Sequence, residues 1–126
     1  MKTARVLIVD DSAPLVELTA FALAAAAFTV DAVTDPSHAR AKIAAFQPDL
    51  ILMDVQMPGI DGLELTRQLK ADPATQHIVV LAFTAFAMKG DQAMIMKAGC
   101  DGYIAKPFDV ATLAATVHGH LAHLRA

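Results

Sequence analysis

The chain of 126 residues lacks most of the features that would place it in a specialised class. Its one cysteine, Cys100, excludes an internal disulfide, fits a reducing compartment, and is expected to be a small buried hydrophobe. The net charge is -3 and no run of lysine or arginine is present, so direct binding to nucleic acid is not expected. Glu17 and Thr19 interrupt the alanine-rich stretch before Ala27, so no segment reaches the roughly 18 apolar residues of a membrane span. The first residues lead directly into a strand-like run without a secretory leader, and we expect a cytoplasmic protein.

Apolar residues are abundant, at 56% of the sequence against 18% charged residues. This balance excludes disorder, and a chain of this length can bury one core without a disulfide or a metal. Neither a linker nor an internal repeat divides the sequence. We therefore expect residues 1–126 to form a single domain with no effector domain.

Short apolar runs alternate with segments of helical period. The predicted strands cover residues 6–9, 28–33, 50–53, 78–83 and 103–105. The predicted helices cover residues 13–27, 36–46, 63–70, 87–98 and the segment after Asp109. The first helix has four residues at the spacing of a buried stripe, Leu15, Leu18, Ala22 and Ala25.

This alternation predicts an α/β fold, a doubly wound, flavodoxin-like sheet of five parallel strands with five helices. Continuously apolar strands belong at the centre of such a sheet. The second strand alternates and the fifth is short, so both are placed at the edges, which gives the order 2-1-3-4-5. The topological switch point then lies between the first and third strands, where ligands bind in such sheets.

Chemically active residues follow four of these strands. Asp10 and Asp11 come after the first strand and Asp54 after the third. A single aspartate in such a place often only caps a turn, but three carboxylates together repel one another unless a cation lies among them. Oxygen ligands in small number suit Mg²⁺. Thr84 follows the fourth strand and Lys106 follows the fifth. A hydroxyl and an ammonium placed opposite a metal can bind the oxygens of a phosphoryl group. A carboxylate can act as the nucleophile that accepts this group.

Together these residues resemble the receiver (CheY-like) domain of two-component response regulators. The resemblance covers essentially the whole chain and rests on Asp10, Asp11, Asp54, Thr84 and Lys106 followed by Pro107, in order and at family-like spacing. Residues 84–91, with Gly99, Cys100, Tyr103 and Ile104 beyond them, are similar to one subset of the family. That subset contains the DivK-type single-domain regulators and the receivers of hybrid histidine kinases.

The resemblance implies a phosphoacceptor signalling domain rather than an enzyme with a separate substrate. Asp54 would accept a phosphoryl group from a histidine kinase or a histidine phosphotransfer protein. Mg²⁺ would be held by Asp11, Asp54 and the backbone carbonyl of Gln56. Asp10 would orient the waters of the metal.

The resemblance also implies a switch. Lys106 and Thr84 would bind the phosphoryl oxygens, and Tyr103 would rotate inward when Thr84 moves. The peptide before Pro107 would be cis, as in the family. The output would be a changed protein-binding surface on the fourth helix, the fifth strand and the fifth helix.

Two positions vary within that family and tune the lifetime of the phosphorylated form, Gln56 and Phe86. Phe86 cannot orient an attacking water, so we predict slow autodephosphorylation. Met88, Met94 and Met96 make the fourth helix rich in flexible apolar side chains, which suit either the core or an adaptable partner surface.

Other interpretations stay open at this point. A Mg²⁺-dependent phosphohydrolase with an aspartyl-phosphate intermediate uses a similar acid cluster, but 126 residues leave little room for its substrate pocket. A phosphorylation-independent adaptor would carry the same site as a vestige. The domain could stand alone or be excised from a longer protein, in which case its output module is missing. His118, His120 and His123 lack a pair at i, i+4, so a solvated helix end is favoured over a metal site.

Overall fold

Five parallel strands form the central sheet in a computed structural model that describes residues 3–57, 60–84, 89–106 and 109–125. The strands are β1 (Arg5–Val9), β2 (Thr29–Val33), β3 (Leu50–Asp54), β4 (Val79–Thr84) and β5 (Gly102–Ala105). Their order is β2-β1-β3-β4-β5, and every pair is parallel. The predicted order is confirmed, and the switch point lies between β1 and β3.

Within the described residues, four α-helices connect the strands and a fifth follows the last strand. They are α1 (Ala13–Ala25), α2 (Ala39–Phe46), α3 (Gly62–Ala71), α4 (Lys89–Lys97) and α5 (Val110–Arg125), and a 3-10 turn, Pro36–His38, precedes α2. Within the described ranges, none of these helices has the length and apolar character needed to cross a membrane. A short antiparallel ribbon, Gln56–Met57 with Ile60–Asp61, lies between β3 and α3.

Side-chain caps fix where several helices begin. The carboxylate of Asp35 accepts the N–H of Ser37 at 3.0 Å, and that of Asp109 accepts the N–H of Ala111 at 2.9 Å. Such caps satisfy backbone N–H groups that the helix itself leaves without partners. Asp109 thus lies where the last predicted helix was expected to begin.

Two cores lie on the two faces of the sheet. On one face, alternate strand residues pack against α2, α3 and α4; the members include Leu7, Val9, Ile51, Met53, Val80, Ile43, Leu69 and Ile95. On the other face the intervening strand residues pack against α1 and α5; the members include Val6, Ile8, Leu50, Leu52, Leu81, Leu23 and Val117. Because both faces are covered, β1, β3 and β4 are almost completely buried, as continuously apolar strands require.

The predicted buried stripe of α1 is wrong. The residues of α1 that are buried are Val16, Thr19 and Leu23, whereas Leu18 is 47% exposed. Nearly every residue of this helix is apolar, so its sequence has no polar side to define the inner face. Thr19 can be buried because its hydroxyl donates to the carbonyl of Leu15 at 2.7 Å.

One helix end also differs from the prediction. The first helix stops at Ala25 instead of residue 27, because Ala27 adopts a left-handed conformation with φ of 71°. Helix α4 is described from Lys89, and its predicted start at residues 87 and 88 is untested because it lies outside the described residues. Gly99 lies two residues after the end of α4 and has a φ of 103°, which glycine adopts without strain.

Candidate functional site

The carboxyl ends of four strands bring the predicted site residues to one edge of the sheet. Asp10 directly follows β1, Asp54 ends β3 and Thr84 ends β4. These three residues are buried, with 1%, 5% and 2% of their surface exposed. Lys106 directly follows β5, and its backbone N–H donates to the carbonyl of Thr84 at 2.7 Å. Parallel pairing places all four ends side by side, as in other doubly wound sheets.

An acidic cluster forms at the switch point. Asp10, Asp11 and Asp54 each offer one carboxylate oxygen, and these three oxygens lie within 4.8 Å of one another. Asp10 is held in place because its Oδ1 accepts the backbone N–H of Ser12 at 2.9 Å. Asp11 is exposed, so the cluster is open to solvent on one side. Hard oxygen donors at this spacing fit a small divalent cation that keeps some of its waters.

Lys106 lies across this cluster. Its Nζ donates to Oδ2 of Asp10 at 2.9 Å and lies 3.5 Å from Oδ1 of Asp54. The side chain of Lys106 is only 20% exposed. An ammonium in this place compensates two buried carboxylates, each of which would cost several kcal/mol if left alone.

Gly62 is a site residue that the sequence did not reveal as such. It is the first residue of α3, and a Cβ built on it would lie 2.1 Å from the backbone oxygen of Asp54 and 3.2 Å from Cγ of Met53. The start of α3 therefore packs directly against the backbone of the residue that ends β3. From the sequence, Gly62 is predicted only to be a turn residue. Its contact with the backbone of Asp54 joins residues eight positions apart and depends on the fold of the ribbon between them.

The remaining predicted residues lie around this centre. Tyr103 is on β5 with 37% of its surface exposed, so it is on the surface in this structure. Gln56 belongs to the ribbon, and its side chain lies outside the described residues. Phe86, Met88 and Pro107 also lie outside them, so the predictions made for these residues are untested.

Cys100, His118 and His120 take no part in the site. Cys100 is 4% exposed, and burial raises the pKa of its thiol, so it is the small buried hydrophobe that was predicted. The ring of His118 packs against Phe28 with the centroids 4.4 Å apart, and His120 packs over Gly102. Among the described side chains, only the three aspartates form a group that could hold a metal.

Comparison with known proteins assigns the family. Residues 6–118 match the response regulator receiver domain. The match covers most of the chain, and the chain belongs to this family. It is therefore a receiver of two-component signalling, as its motifs predicted, and the phosphohydrolase interpretation is not favoured.

Individual relatives agree with this family. The polar-differentiation response regulator DivK of Brucella anthropi is 51% identical over 75 residues, which is 60% of this chain and 61% of that protein. The match thus spans less than two thirds of the relative. The signal receiver domain of a signal transduction histidine kinase from Syntrophus aciditrophicus is 30% identical, with a TM-score of 0.86 over 96% of this chain and 92% of that chain. The chemotaxis protein CheY4 of Vibrio cholerae is 27% identical, with a TM-score of 0.87 over 94% of this chain and 98% of that chain.

Proposed function

We propose that this chain accepts a phosphoryl group on Asp54 from the phosphohistidine of a histidine kinase or histidine phosphotransfer protein. The observation that carries the proposal is the environment of Asp54. Its carboxylate is 5% exposed, belongs to the acidic cluster, and lies 3.5 Å from the ammonium of Lys106. Asp10 is also buried, with 1% of its surface exposed, and its carboxylate accepts the N–H of Ser12 and the ammonium of Lys106 at 2.9 Å each, which suits it to orient its neighbours.

The metal would be Mg²⁺, held by the carboxylates of Asp11 and Asp54 and by the backbone carbonyl of Gln56. Asp10 would orient the bound waters. The chemistry of the donor set supports this choice, since all the side-chain ligands are hard oxygens. When bound, the ion neutralises part of the charge on the phosphoryl oxygens.

The transfer itself is a substitution at phosphorus. A carboxylate oxygen of Asp54 forms a bond to phosphorus while the bond from phosphorus to the donor's imidazole nitrogen breaks, and the electron pair leaves with the imidazole. Lys106 turns its ammonium from Asp10 toward a phosphoryl oxygen. The hydroxyl of Thr84 donates to another oxygen, which draws the end of β4 toward Asp54.

The movement of Thr84 would be transmitted to a partner surface on α4, β5 and α5. Tyr103 is 37% exposed on β5, and it rotates inward when Thr84 moves. Met94 and Met96 of α4 are 58% and 49% exposed, and flexible apolar side chains suit the binding of a protein target. Phosphorylation thus shifts the population of two surface states. Residues 1–126 act as one receiver domain, and the location is the cytoplasm.

Intact mass spectrometry after incubation with Mg²⁺ and acetyl phosphate tests this proposal. The parent chain is expected to gain one phosphate, and Asp54→Asn, which keeps the shape of the side chain, is expected to gain none. Asp35→Asn is the matched control, because Asp35 is an exposed aspartate that caps the 3-10 turn before α2, and this variant should behave as the parent. A phosphate on Asp54→Asn would show that another group is the acceptor. A folded parent that gains none from acetyl phosphate or from a phosphorylated histidine domain would identify an adaptor with a vestigial site.

A further inference from the structure

An aromatic ring lies directly beneath the ammonium of Lys106. Phe83 is a β4 residue with 0% of its surface exposed, and it pairs in register with Asp54 on β3. The Nζ of Lys106 lies 5.0 Å from the centroid of the Phe83 ring. This distance is within the range in which a cation is attracted to the face of an aromatic ring.

We propose that Phe83 is a positioning residue that holds the Lys106 ammonium beside the carboxylates of Asp10 and Asp54 through a cation–π interaction. The proposal rests on the phosphoryl transfer proposed above, in which Lys106 binds a phosphoryl oxygen. Phe83 acts only through Lys106.

The chemistry of the ring explains why a phenylalanine suits this place. A lysine side chain has four rotatable bonds and a mobile ammonium, so its position must be restricted by what surrounds it. A carboxylate or a carbonyl under the ammonium would hold it more tightly but would compete with the incoming phosphoryl oxygens. The ring attracts the cation through its quadrupole and leaves the N–H groups of the ammonium directed toward the oxygens of Asp10 and Asp54.

Burial strengthens this effect. Lys106 is 20% exposed and Phe83 is fully buried, so little water separates the ammonium from the ring. An aliphatic residue at position 83 would exclude water from the ammonium as the ring does, but it would not attract the positive charge of the ammonium. Phe83 also pairs in register with Asp54 on the neighbouring strand. It can therefore support the ammonium as Lys106 turns from Asp10 toward a phosphoryl group on Asp54.

The test replaces Phe83 with 4-fluoro-, 3,5-difluoro- and 3,4,5-trifluorophenylalanine. Fluorine withdraws electron density from the ring face and leaves the shape almost unchanged, whereas Phe83→Leu would also open a cavity in the core. Phe46 is the matched control. It is a buried phenylalanine with a cation over its ring, since Cζ of Arg5 lies 4.3 Å from the centroid, but it lies on α2, away from the site.

The first readout is the NMR order parameter of the ε-carbon of Lys106, measured without a phosphodonor. It is expected to fall stepwise along the Phe83 series and to stay constant along the Phe46 series. Lys70 is the internal reference, because its Nζ is held by the carbonyl of Ile78 at 2.7 Å and by Asp101 at 2.9 Å. An order parameter of Lys106 that is unchanged along the Phe83 series, or equally changed along the Phe46 series, overturns the proposal.

The second readout is the rate of phosphorylation by saturating acetyl phosphate and Mg²⁺. We expect this rate to fall by about fivefold across the Phe83 series, with no change across the Phe46 series. A constant rate together with a falling order parameter would show that the ring holds Lys106 but does not serve phosphoryl transfer, which overturns the proposal. If the parent is not phosphorylated at all, the proposed function fails, and the order parameter still decides whether Phe83 holds Lys106.

Discussion

Gly62→Ala should damage the site more than it damages the fold. A methyl group at this position would lie 2.1 Å from the backbone oxygen of Asp54, so the start of α3 or the end of β3 must move by about 1 Å to reach an ordinary contact. Overpacking of this kind costs about 1–3 kcal/mol. Alanine has fewer conformations than glycine in the unfolded chain, which raises the free energy of unfolding by about 0.4–1 kcal/mol. The net expectation is a destabilisation of up to about 2.6 kcal/mol, with a midpoint of about 1.3 kcal/mol that corresponds to a fall in Tm of roughly 5 °C.

The rate of phosphorylation should fall further than this stability change suggests. The displaced atom belongs to the backbone of the acceptor, and a misplacement of about 1 Å can cost a reaction roughly 100-fold. We expect a decrease of at least about tenfold in the rate with acetyl phosphate, measured under conditions where the variant is fully folded. Thermal unfolding and intact mass against time give the two quantities.

Gly119→Ala is the matched control, since a Cβ at Gly119 in α5 meets nothing within 4 Å. Alanine is favoured over glycine inside a helix, so this variant should gain about 0.5–1 kcal/mol and keep the parent's rate. If Gly62→Ala had the stability and the rate of Gly119→Ala, the close packing of α3 against Asp54 would not matter, and the reasoning would be refuted.

Three further predictions concern other residues. Lys106→Met should raise the Mg²⁺ affinity by about tenfold, because it removes a cation that lies 2.9 Å from Asp10 and 3.5 Å from Asp54. The same variant should be phosphorylated more slowly. Calorimetry that finds unchanged Mg²⁺ binding would contradict this prediction. Ala27→Gly should raise the free energy of unfolding by about 0.5–1 kcal/mol, because Ala27 has a φ of 71°, which glycine adopts with less strain than alanine. Urea unfolding measures the change, and a loss of stability would show that this φ does not strain Ala27. Phe86→Glu should hasten loss of the phosphoryl group, because a polar group can orient water there; an unchanged decay of the phosphorylated mass would show that Phe86 does not set the lifetime.

The strands could be predicted from the sequence because burial on both faces leaves an unambiguous pattern. Residues 50–53 and 78–83 are continuously apolar, and β3 and β4 lie there at the centre of the sheet. The buried face of α1 could not be predicted. Its sequence is apolar on all sides, so the choice between Leu18 and Val16 is made by packing against the sheet and α5.

The candidate site divides in the same way. Asp10, Asp54 and Lys106 could be predicted to meet, because each follows a strand and parallel strands end at one edge. The contributions of Gly62 and Phe83 could not be predicted. The role of Gly62 depends on the space beside the backbone oxygen of Asp54, and the role of Phe83 depends on the orientation of its ring. Neither property produces a pattern in residue type or spacing.

The central claim is that Asp54 carries the phosphoryl group, and borohydride reduction tests it most directly. Borohydride converts an acyl phosphate to an alcohol, so a phosphorylated aspartate is recovered as homoserine at its own position. After incubation with Mg²⁺ and acetyl phosphate, reduction and peptide sequencing should find homoserine at position 54 and aspartate at positions 10 and 11. Homoserine at position 10 or 11, or an unreduced aspartate at position 54 in a chain that has gained a phosphate, would contradict the account.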